Sequence, residues 1–390
     1  MTETAAANRV RSLDEYMDAS KAATVGPIGR VLIVSDSLPE RNGVGAYYSD
    51  LMHLLEDEGC DVTILCPSED RPTIFRFPLP GDSTQRVWLP SLFRFRRVMK
   101  EVRPQTIIAA TPGPYGLLGA WWSRRLNAKF IVGFHTHFSS VTDLYQNRFL
   151  RAGSRFYFNI ADKILFRCGD LVLANSEAMV ELAERLGARK VAVMGTLLPR
   201  DSLLEPEHPL HGDLKRVVFA GRLAPEKRIQ TVIDAAHELP NIEFTIAGDG
   251  PLKKSVEQQA DTLPNLEYVG WVSRRDLLAQ MDRADMLVLN SVVESFGTVA
   301  LEAMARRRLA LVSNTCGIVE WPDLVDKLYQ INDDETLSAA IRRVARLPAD
   351  SRAATGRAAR DAALRLNRGS LLHWLDVLHN DEAESTATPS

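Results

Sequence analysis

Met286-Leu-Val-Leu-Asn-Ser-Val-Val-Glu294-Ser-Phe-Gly-Thr-Val-Ala-Leu-Glu302-Ala-Met-Ala305 is the stretch whose reading decides the fold. Met286 to Leu289 is a short continuous apolar run, the pattern of a strand buried on both faces. Val299, Ala300, Leu301, Ala303 and Met304 then read as a buried helix. Glu294 therefore falls in a strand-to-helix loop, and Gly297-Thr298 opens the helix. Such a helix start presents N–H groups without partners and a partial positive charge, a natural phosphate seat. Glu302 lies about one turn in, where a carboxylate can accept from two adjacent ribose hydroxyls. The arrangement suggests a nucleoside diphosphate held by a helix, with one acid for its ribose and one for whatever the phosphate carries. Solvated acids at a helix start are also common, because they suit the dipole, so the rest of the chain has to decide between the two.

At 390 residues the chain is long for one core, and two domains are the default. A formal net charge of −3 argues against a general nucleic-acid binder. Cys60, Cys66, Cys168 and Cys316 are scattered with no C-x-x-C spacing. That excludes a disulfide framework or structural zinc site as the organising principle and fits a reducing cytoplasm. No apolar run approaches the roughly 18 residues needed to span a membrane. Residues 1–29 carry Asp14, Glu15 and Asp18 and no signal-peptide core; they read as a leader, disordered or a helix packed onto something else.

Outward from the opening stretch, one grammar repeats. Arg30 to Ser35, Val62 to Leu65, Thr106 to Ala110, Phe130 to Phe134 and Leu171 to Ala174 read as strands. Helical patterns after Gly45, from Leu117 to Leu126 and from Ser176 to Leu186 alternate with them. A polar, proline-bearing stretch from Pro199 to Asp213 interrupts the pattern. It then restarts with strands at Arg216–Ala220, Ile242–Ala247, Leu266–Val269 and Met286–Leu289. Strands alternating with helices imply parallel sheets covered on both faces. The expected fold class is α/β: two doubly wound Rossmann-like domains facing a central cleft. The expected boundaries are 30–198 for the first domain and 199–365 for the second. A helix over 366–379, with Leu371 to Leu378 as its regular part, follows, and then a disordered acidic tail over 380–390.

Ligands in such sheets bind outside the carboxyl ends of the strands, and several candidates fall there. Arg222 and Lys227 follow the strand ending near Gly221; a guanidinium and an ammonium there suit phosphate oxygens. Arg41-Asn42-Gly43-Val44-Gly45 follows the first strand, where glycines let the backbone approach a diphosphate. It is not the dinucleotide fingerprint, because Tyr48 stands where a third glycine would be. His135 and His137 end another strand and suit a sugar hydroxyl or a backbone carbonyl near a developing positive charge. Neither has an acid or thiol at ligand-like spacing, so no metal site is expected. Asp143 and Tyr145 are acceptor-contact candidates. Basic residues interleave with aromatics from Arg86 to Lys100, including Trp88, Arg94, Arg96 and Arg97. That composition suits anionic lipid headgroups, or equally an amphipathic helix with a solvated basic face. Arg148, Arg151 and Arg155 among Phe149, Phe156, Tyr157 and Phe158 repeat the theme.

Gly221-Arg222-Leu-x-x-Glu226-Lys227, Ala247-Gly-Asp-Gly-Pro251 and Glu294-x-Phe-Gly through Glu302-Ala-Met together resemble the retaining GT-B glycosyltransferases of family 4. The likeness runs from Arg30 to about Leu378. The resemblance implies a first, acceptor-side domain and a second, nucleotide-sugar-binding domain, with the last helix crossing back to the first. It makes Arg222 and Lys227 the diphosphate clamp and Glu302 the ribose acid. Glu294, Phe296, Gly297 and Thr298 become the donor-sugar loop and Gly43 the first-domain donor loop. His135 matches the family's histidine near the transferred sugar, and Trp271-Val272 would flank the base through its backbone. Asn42-Gly-Val44, Thr111-Pro-Gly-Pro-Tyr-Gly116 and His135-Thr-His-Phe138 look most like the branch that glycosylates membrane lipids.

The chain also departs from the family pattern. Arg306-Arg307-Arg308 replaces small residues after Glu302-Ala-Met-Ala, and the following glycine-rich loop is reduced to Cys316-Gly317-Ile-Val-Glu320. Both changes lie beside the donor loop and leave donor identity open.

The resemblance implies a retaining hexosyltransferase that moves a sugar from a UDP- or GDP-sugar to a hydroxyl acceptor, a diacylglycerol-type lipid or another glycan. No cofactor or metal is expected, since fixed cations fill the metal's role, and no nucleic-acid partner. Peripheral association with the inner face of the cell membrane fits the basic aromatic segment. The competing readings are transfer to a polysaccharide or soluble acceptor, a nucleotide-sugar epimerase or hydrolase, and a non-catalytic nucleotide-sugar binder.

Overall fold

The computed structural model describes residues 28–39, 43–67, 76–79, 82–135, 148–175, 177–206, 210 and 212–379, without the side chains of 76–79, 82–88, 148–154 and 177–178. The chain divides into two compact units. One holds the residues up to Leu197 together with those from Leu366 onward; the other is Leu198–Arg365.

In the first unit, six parallel strands take the order β2-β1-β5-β6-β7-β8. They are β1 Val31–Val34, β2 Val62–Leu65, β5 Thr106–Ala109, β6 Lys129–Phe134, β7 Leu171–Ala174 and β8 Val191–Val193. Between β2 and β5 an antiparallel pair, β3 Arg76–Leu79 and β4 Asp82–Trp88, forms a separate two-stranded sheet. β1 pairs with β2 and with β5 in parallel register, Val31 opposite both Val62 and Thr106. Every residue of β1 is buried, so both faces must be covered, as the continuous apolar pattern requires. Helix Gly43–Asp57 supplies part of one cover with Tyr47, Tyr48, Leu51, Leu54 and Leu55 buried.

In the second unit the order is β11-β10-β9-β12-β13-β14. These are β9 Arg216–Ala220, β10 Glu243–Ala247, β11 Leu266–Gly270, β12 Met286–Leu289, β13 Leu309–Ser313 and β14 Tyr329–Ile331. Read in chain order this is 3-2-1-4-5-6, the doubly wound arrangement with its switch point between the first and fourth strands. Phe219, Phe244, Ile246, Val288 and Leu311 meet Ile233, Ala236 and Ile341 in one core. The architecture is the pair of doubly wound units that the GT-B expectation requires.

Three expectations are corrected. The last helix is not confined to 366–379; it runs unbroken over Ala349–His379. Its first half is rich in alanine, which offers no wide apolar stripe to read yet is the strongest helix former. Arg352 secures its start by donating to the carbonyl of Ala345 at 2.8 Å and to that of Gly212. Second, the basic aromatic segment is not one element. It breaks into the end of β4 and the helix Leu92–Val102, whose N-cap Ser91 accepts from the Arg94 amide. Third, β8, β13 and β14 and the helix Leu337–Ala345 are elements the sequence reading did not mark.

Trp374, fully buried near the end of the last helix, donates its Nε1–H to Tyr47 Oη at 2.8 Å. Tyr47 in turn donates to the Gly195 carbonyl at 2.9 Å. Residues from both sequence portions of the first unit thus share one hydrogen-bonded core.

Candidate active site

The switch point of the second unit lies where β9 and β12 run side by side and their connections leave in opposite directions. Gly221-Arg222-Leu223 leaves β9 and enters a short 3₁₀ turn, Pro225–Lys227. Asn290 to Gly297 leaves β12 and enters the helix Thr298–Ala305. The loops are tied together: the Val292 amide donates to the Glu226 carbonyl at 2.7 Å, and Lys227 Nζ forms an ion pair with Glu294. Arg222 pairs with Glu226 on the same loop. Arg222, Lys227, Glu294, Gly297, Thr298 and Glu302 are therefore brought to one end of one sheet. The cations, however, already have carboxylate partners, a feature the sequence spacing did not reveal.

Gly297 sits at φ +97°, and a Cβ there would lie 2.7 Å from Cys316 Sγ and 3.1 Å from Leu289 Cδ2. No other residue meets both constraints without strain, so the chain enters the helix by this one route. The far wall of the loop is the shortened segment after β13. Gly317 N donates to Glu294 O at 2.9 Å and Ile318 N to Phe296 O at 2.7 Å. A Cβ on Gly317 would stand 2.0 Å from Ser295 O, so this close approach needs glycine. Burial pushes the Cys316 thiol up to about 12, which leaves it a packing group. The Phe296 ring is 4% exposed and packs edge-on to Trp321, with centroids 5.6 Å apart. Its side chain braces the loop.

Glu302 is not a solvated acid. It is buried, and it accepts from Arg274 Nη2 at 2.9 Å. Arg274 opens the helix Arg274–Arg283 just after Trp271, which is exposed. Sequence reasoning missed Arg274 because nothing at the level of spacing links it to Glu302; only the adjacency of Trp271-Val272 pointed to the region.

Arg306 turns away from the 294–298 loop. Its guanidinium engages Asp282 through both oxygens, with Nε to Oδ1 at 2.8 Å, and donates to the Leu204 carbonyl at 2.6 Å. Arg307 pairs with Glu205 at 2.9 Å. Arg360 donates to Leu203 O at 2.9 Å and to Ala305 O, and pairs with Glu205 at 3.3 Å. Arg306 and Arg360 satisfy carbonyls at the ends of the helices Arg200–Leu203 and Thr298–Ala305, which suits the dipoles there. Arg306 is thus scaffold at the end of the helix Thr298–Ala305.

In the first unit, His135 follows β6 and is 9% exposed, with its ring edge-on to both Tyr47 and Tyr48 at centroid distances of 4.9 and 5.2 Å. Its Nε2 has no hydrogen-bond partner among the described residues, and burial pushes its pKa down to about 3. The imidazole is therefore neutral at pH 7. Asp162, on the helix Arg148–Cys168, shares a small cavity with His135, lined also by Val44, Thr111 and Gly133. Its Oδ2 is unpartnered among the described residues, and burial pushes its pKa up to about 7. Asp36, after β1, accepts from Thr111 Oγ1 at 2.6 Å and from Tyr115 N at 3.0 Å, so a carboxylate of the chain itself occupies the start of the helix Pro114–Leu126. Desolvation outweighs those bonds and raises Asp36 to about 6. Neither acid carried a sequence signal, since each is a single aspartate in an ordinary run.

Gly43 is the first residue of the helix Gly43–Asp57 and has open space at its Cβ position. Arg41, Asn42, His137, Asp143 and Tyr145 lie outside the described residues, as does the side chain of Trp88. Arg94 is a structural contact, its Nη1 donating to the Cys66 carbonyl at 3.2 Å. Arg97 pairs with Glu101 on the helix surface at 2.8 Å, and Arg96 is exposed. Leu92 and Phe93 beside them are 66% and 90% exposed. Among the described residues no helix is long and apolar enough to cross a membrane, and no group of His, Cys, Asp and Glu is arranged to hold a metal.

Comparison with known proteins meets this geometry from outside. The family model "Glycosyl transferases group 1" matches residues 202–362 and "Glycosyltransferase Family 4" matches 41–196, together about four-fifths of the chain. A GDP-mannose-dependent alpha-(1-6)-phosphatidylinositol dimannoside mannosyltransferase of Mycobacterium tuberculosis is 31% identical over 137 residues, 34% of this chain and 36% of that one. The chain thus spans about a third of the length of the first curated relatives it matches. The alpha-monoglucosyldiacylglycerol synthase of Acholeplasma laidlawii is 23% identical over 314 residues, 71% of this chain and 78% of that one. Among solved structures, sucrose-phosphate synthase from Thermosynechococcus elongatus superposes with a TM-score of 0.68 at 18% identity, covering 89% of this chain and 98% of that one. With both of its halves matched in sequence and two doubly wound units in its fold, the chain belongs to the group 1, or family 4, glycosyltransferases.

Proposed function

We propose that this protein transfers a hexosyl unit from a nucleoside diphosphate sugar to a hydroxyl of a membrane lipid, with retention of anomeric configuration. One observation carries the reading: two cations, a helix start and two acids converge at the switch point of the second unit's sheet. As the sugar leaves, negative charge grows on the diphosphate while the ring becomes oxocarbenium-like. Arg222, Lys227 and the amides opening the helix Thr298–Ala305 stabilise that charge without a metal. The donor phosphate takes over the partners that Glu226 and Glu294 hold in the free protein. Glu294 is then released toward the sugar, and Glu302 accepts from the ribose beside Arg274. The acceptor hydroxyl attacks the anomeric carbon as the C–O bond to phosphate breaks, and its proton passes to the departing phosphate oxygen on the same face.

Two observations support a lipid acceptor. By their names, one relative is a mannosyltransferase for phosphatidylinositol dimannoside and another a synthase of monoglucosyldiacylglycerol. The helix Leu92–Val102 also presents Leu92, Phe93 and Arg96 to solvent, a composition suited to a headgroup surface. The test is a panel of UDP-, GDP- and ADP-sugars with a total lipid extract, read by mass spectrometry. A lipid carrying one added hexose is the expected product, with α linkage from an α-linked donor. Sugar release or isomerisation without lipid would favour a hydrolase or epimerase, and a product confined to the aqueous phase would remove the lipid reading.

A further inference from the structure

The end of the first sheet away from the carboxyl termini carries a second feature that the transferase reading leaves unused. A broad groove there is lined by Lys100, Arg103, Arg124, Arg167, Arg189 and Lys190. They come from the ends of three helices, Leu92–Val102, Pro114–Leu126 and Arg148–Cys168, and from the approach to β8. All six are exposed, and none has a carboxylate within ion-pair distance among the described residues. The acid in the lining, Asp170, is engaged by the chain itself, its Oδ2 accepting from the Phe130 amide at 2.8 Å.

Cations favour helix C-termini, which accounts for Arg103, Arg124 and Arg167. It does not account for Arg189 and Lys190, which precede a strand and face the same concavity. Like charges gathered in a concave surface reinforce one another's potential and draw in an anion.

The chain supplies a candidate occupant at the rim. Lys129, which also lines the groove, donates its Nζ to the Val377 carbonyl at 2.9 Å, so the last turn of the helix Ala349–His379 is anchored there. The residues that follow, 380–390, lie outside those described and carry Asp381, Glu382 and Glu384 with no Lys or Arg. Glu384 is five residues past His379, within reach of about 17 Å of extended chain.

We propose that the acidic segment 380–390 binds the basic groove of its own chain, with Asp381, Glu382 and Glu384 pairing with the cations that lack partners. The groove is then an intramolecular docking site for an acidic peptide, kept from other polyanions by a tethered competitor. It is independent of the transferase reading.

Zero-length carbodiimide cross-linking of the full chain at low ionic strength tests this directly. Peptide mapping is expected to join Asp381, Glu382 or Glu384 to Lys100 or Lys190, and the products should fade near 1 M salt, where the screening length is about 3 Å. Mixing isotopically labelled and unlabelled chains separates joins within a chain from joins between chains. Cross-links between chains, spread over lysines such as Lys215 and Lys327, or absent while other pairs react, would overturn the proposal. A second measurement needs no cross-linker. Tripolyphosphate should bind the triple variant Asp381→Asn, Glu382→Gln, Glu384→Gln about tenfold more tightly than the unaltered chain, because a tether at roughly millimolar effective concentration has been neutralised. Equal affinity would refute it.

Discussion

Replacing Arg306 with alanine should unfold the second unit at lower temperature while leaving its affinity for donor intact. The side chain is 6% exposed and its partner Asp282 14%, and two parallel bonds join them. Removing one member of such a pair leaves the half-buried Asp282 carboxylate short of its main counter-charge, for which about 3–5 kcal/mol is the upper cost. The lost bond to the Leu204 carbonyl adds to that figure. For a unit of this size, each kcal/mol moves the midpoint by about 2–4 °C, so a fall on the order of 10 °C is expected. Scanning calorimetry of the whole chain reads it, with donor binding followed by titration in parallel. The double variant Arg306→Leu, Asp282→Leu supplies the internal check. With both charges gone, it should recover much of the loss, because a buried ion pair contributes little net stability over well-packed apolar groups. If Arg306→Ala left the midpoint unchanged and raised the donor's KM, the arginine would belong to the donor site and the scaffold argument would fail.

Three further outcomes follow from the same contacts. Arg222→Ala and Lys227→Ala should each lower kcat on the order of 10²–10³ if they stabilise the leaving diphosphate; unchanged turnover in either would remove it from the clamp. Glu302→Ala should raise the donor's KM by about 10- to 100-fold, since hydrogen bonds to a charged group contribute about 1.5–3 kcal/mol. An effect on kcat alone, measured across donor concentrations, would contradict a ribose role. Asp162→Asn should remove a loss of stability that otherwise runs from about pH 4 to 7. The folded pKa of Asp162, raised to about 7, means that its neutral form stabilises the fold fully below its unfolded value near 3.8 and that this contribution is lost as pH rises through 7. His135, lowered to about 3, acts oppositely: its contribution is present above about 6.5 and is lost as pH falls. Between about pH 4 and 7 the thermal midpoint of the variant should therefore rise with pH relative to the parent, where the two opposed contributions largely offset each other; parallel curves would show that Asp162 is ionised in the fold.

The doubly wound units were legible because their strands are continuous apolar runs, and such runs have few alternatives once helices alternate with them. The cluster at the carboxyl end of the second sheet was legible for a related reason: Arg222, Lys227, Glu294 and Glu302 all follow strand ends in chain order. What stayed hidden was pairing. The partnership of Glu302 with Arg274 crosses 28 residues and that of Arg306 with Asp282 crosses 24, with no local spacing to betray either. Arg306-Arg307-Arg308 read as an intrusion beside the donor loop because direction is a property of the folded helix end. The packing of the Phe296 ring against Trp321 was likewise hidden, since the two are 25 residues apart with no shared pattern. The alanine-rich half of the last helix escaped because propensity without an apolar stripe leaves no periodic trace.

The bond between Trp374 and Tyr47 has a temporal meaning. The first unit begins the chain, yet its core stays open at this point until the final helix exists. A ribosome adding about 5–20 residues per second needs roughly ten to thirty seconds to travel from Leu197 to Trp374. The whole of Leu198–Arg365 is made in that interval. The unit that starts first is therefore completed last, and an early stop anywhere before Trp374 leaves a nascent first unit whose Tyr47 lacks the indole that closes its core.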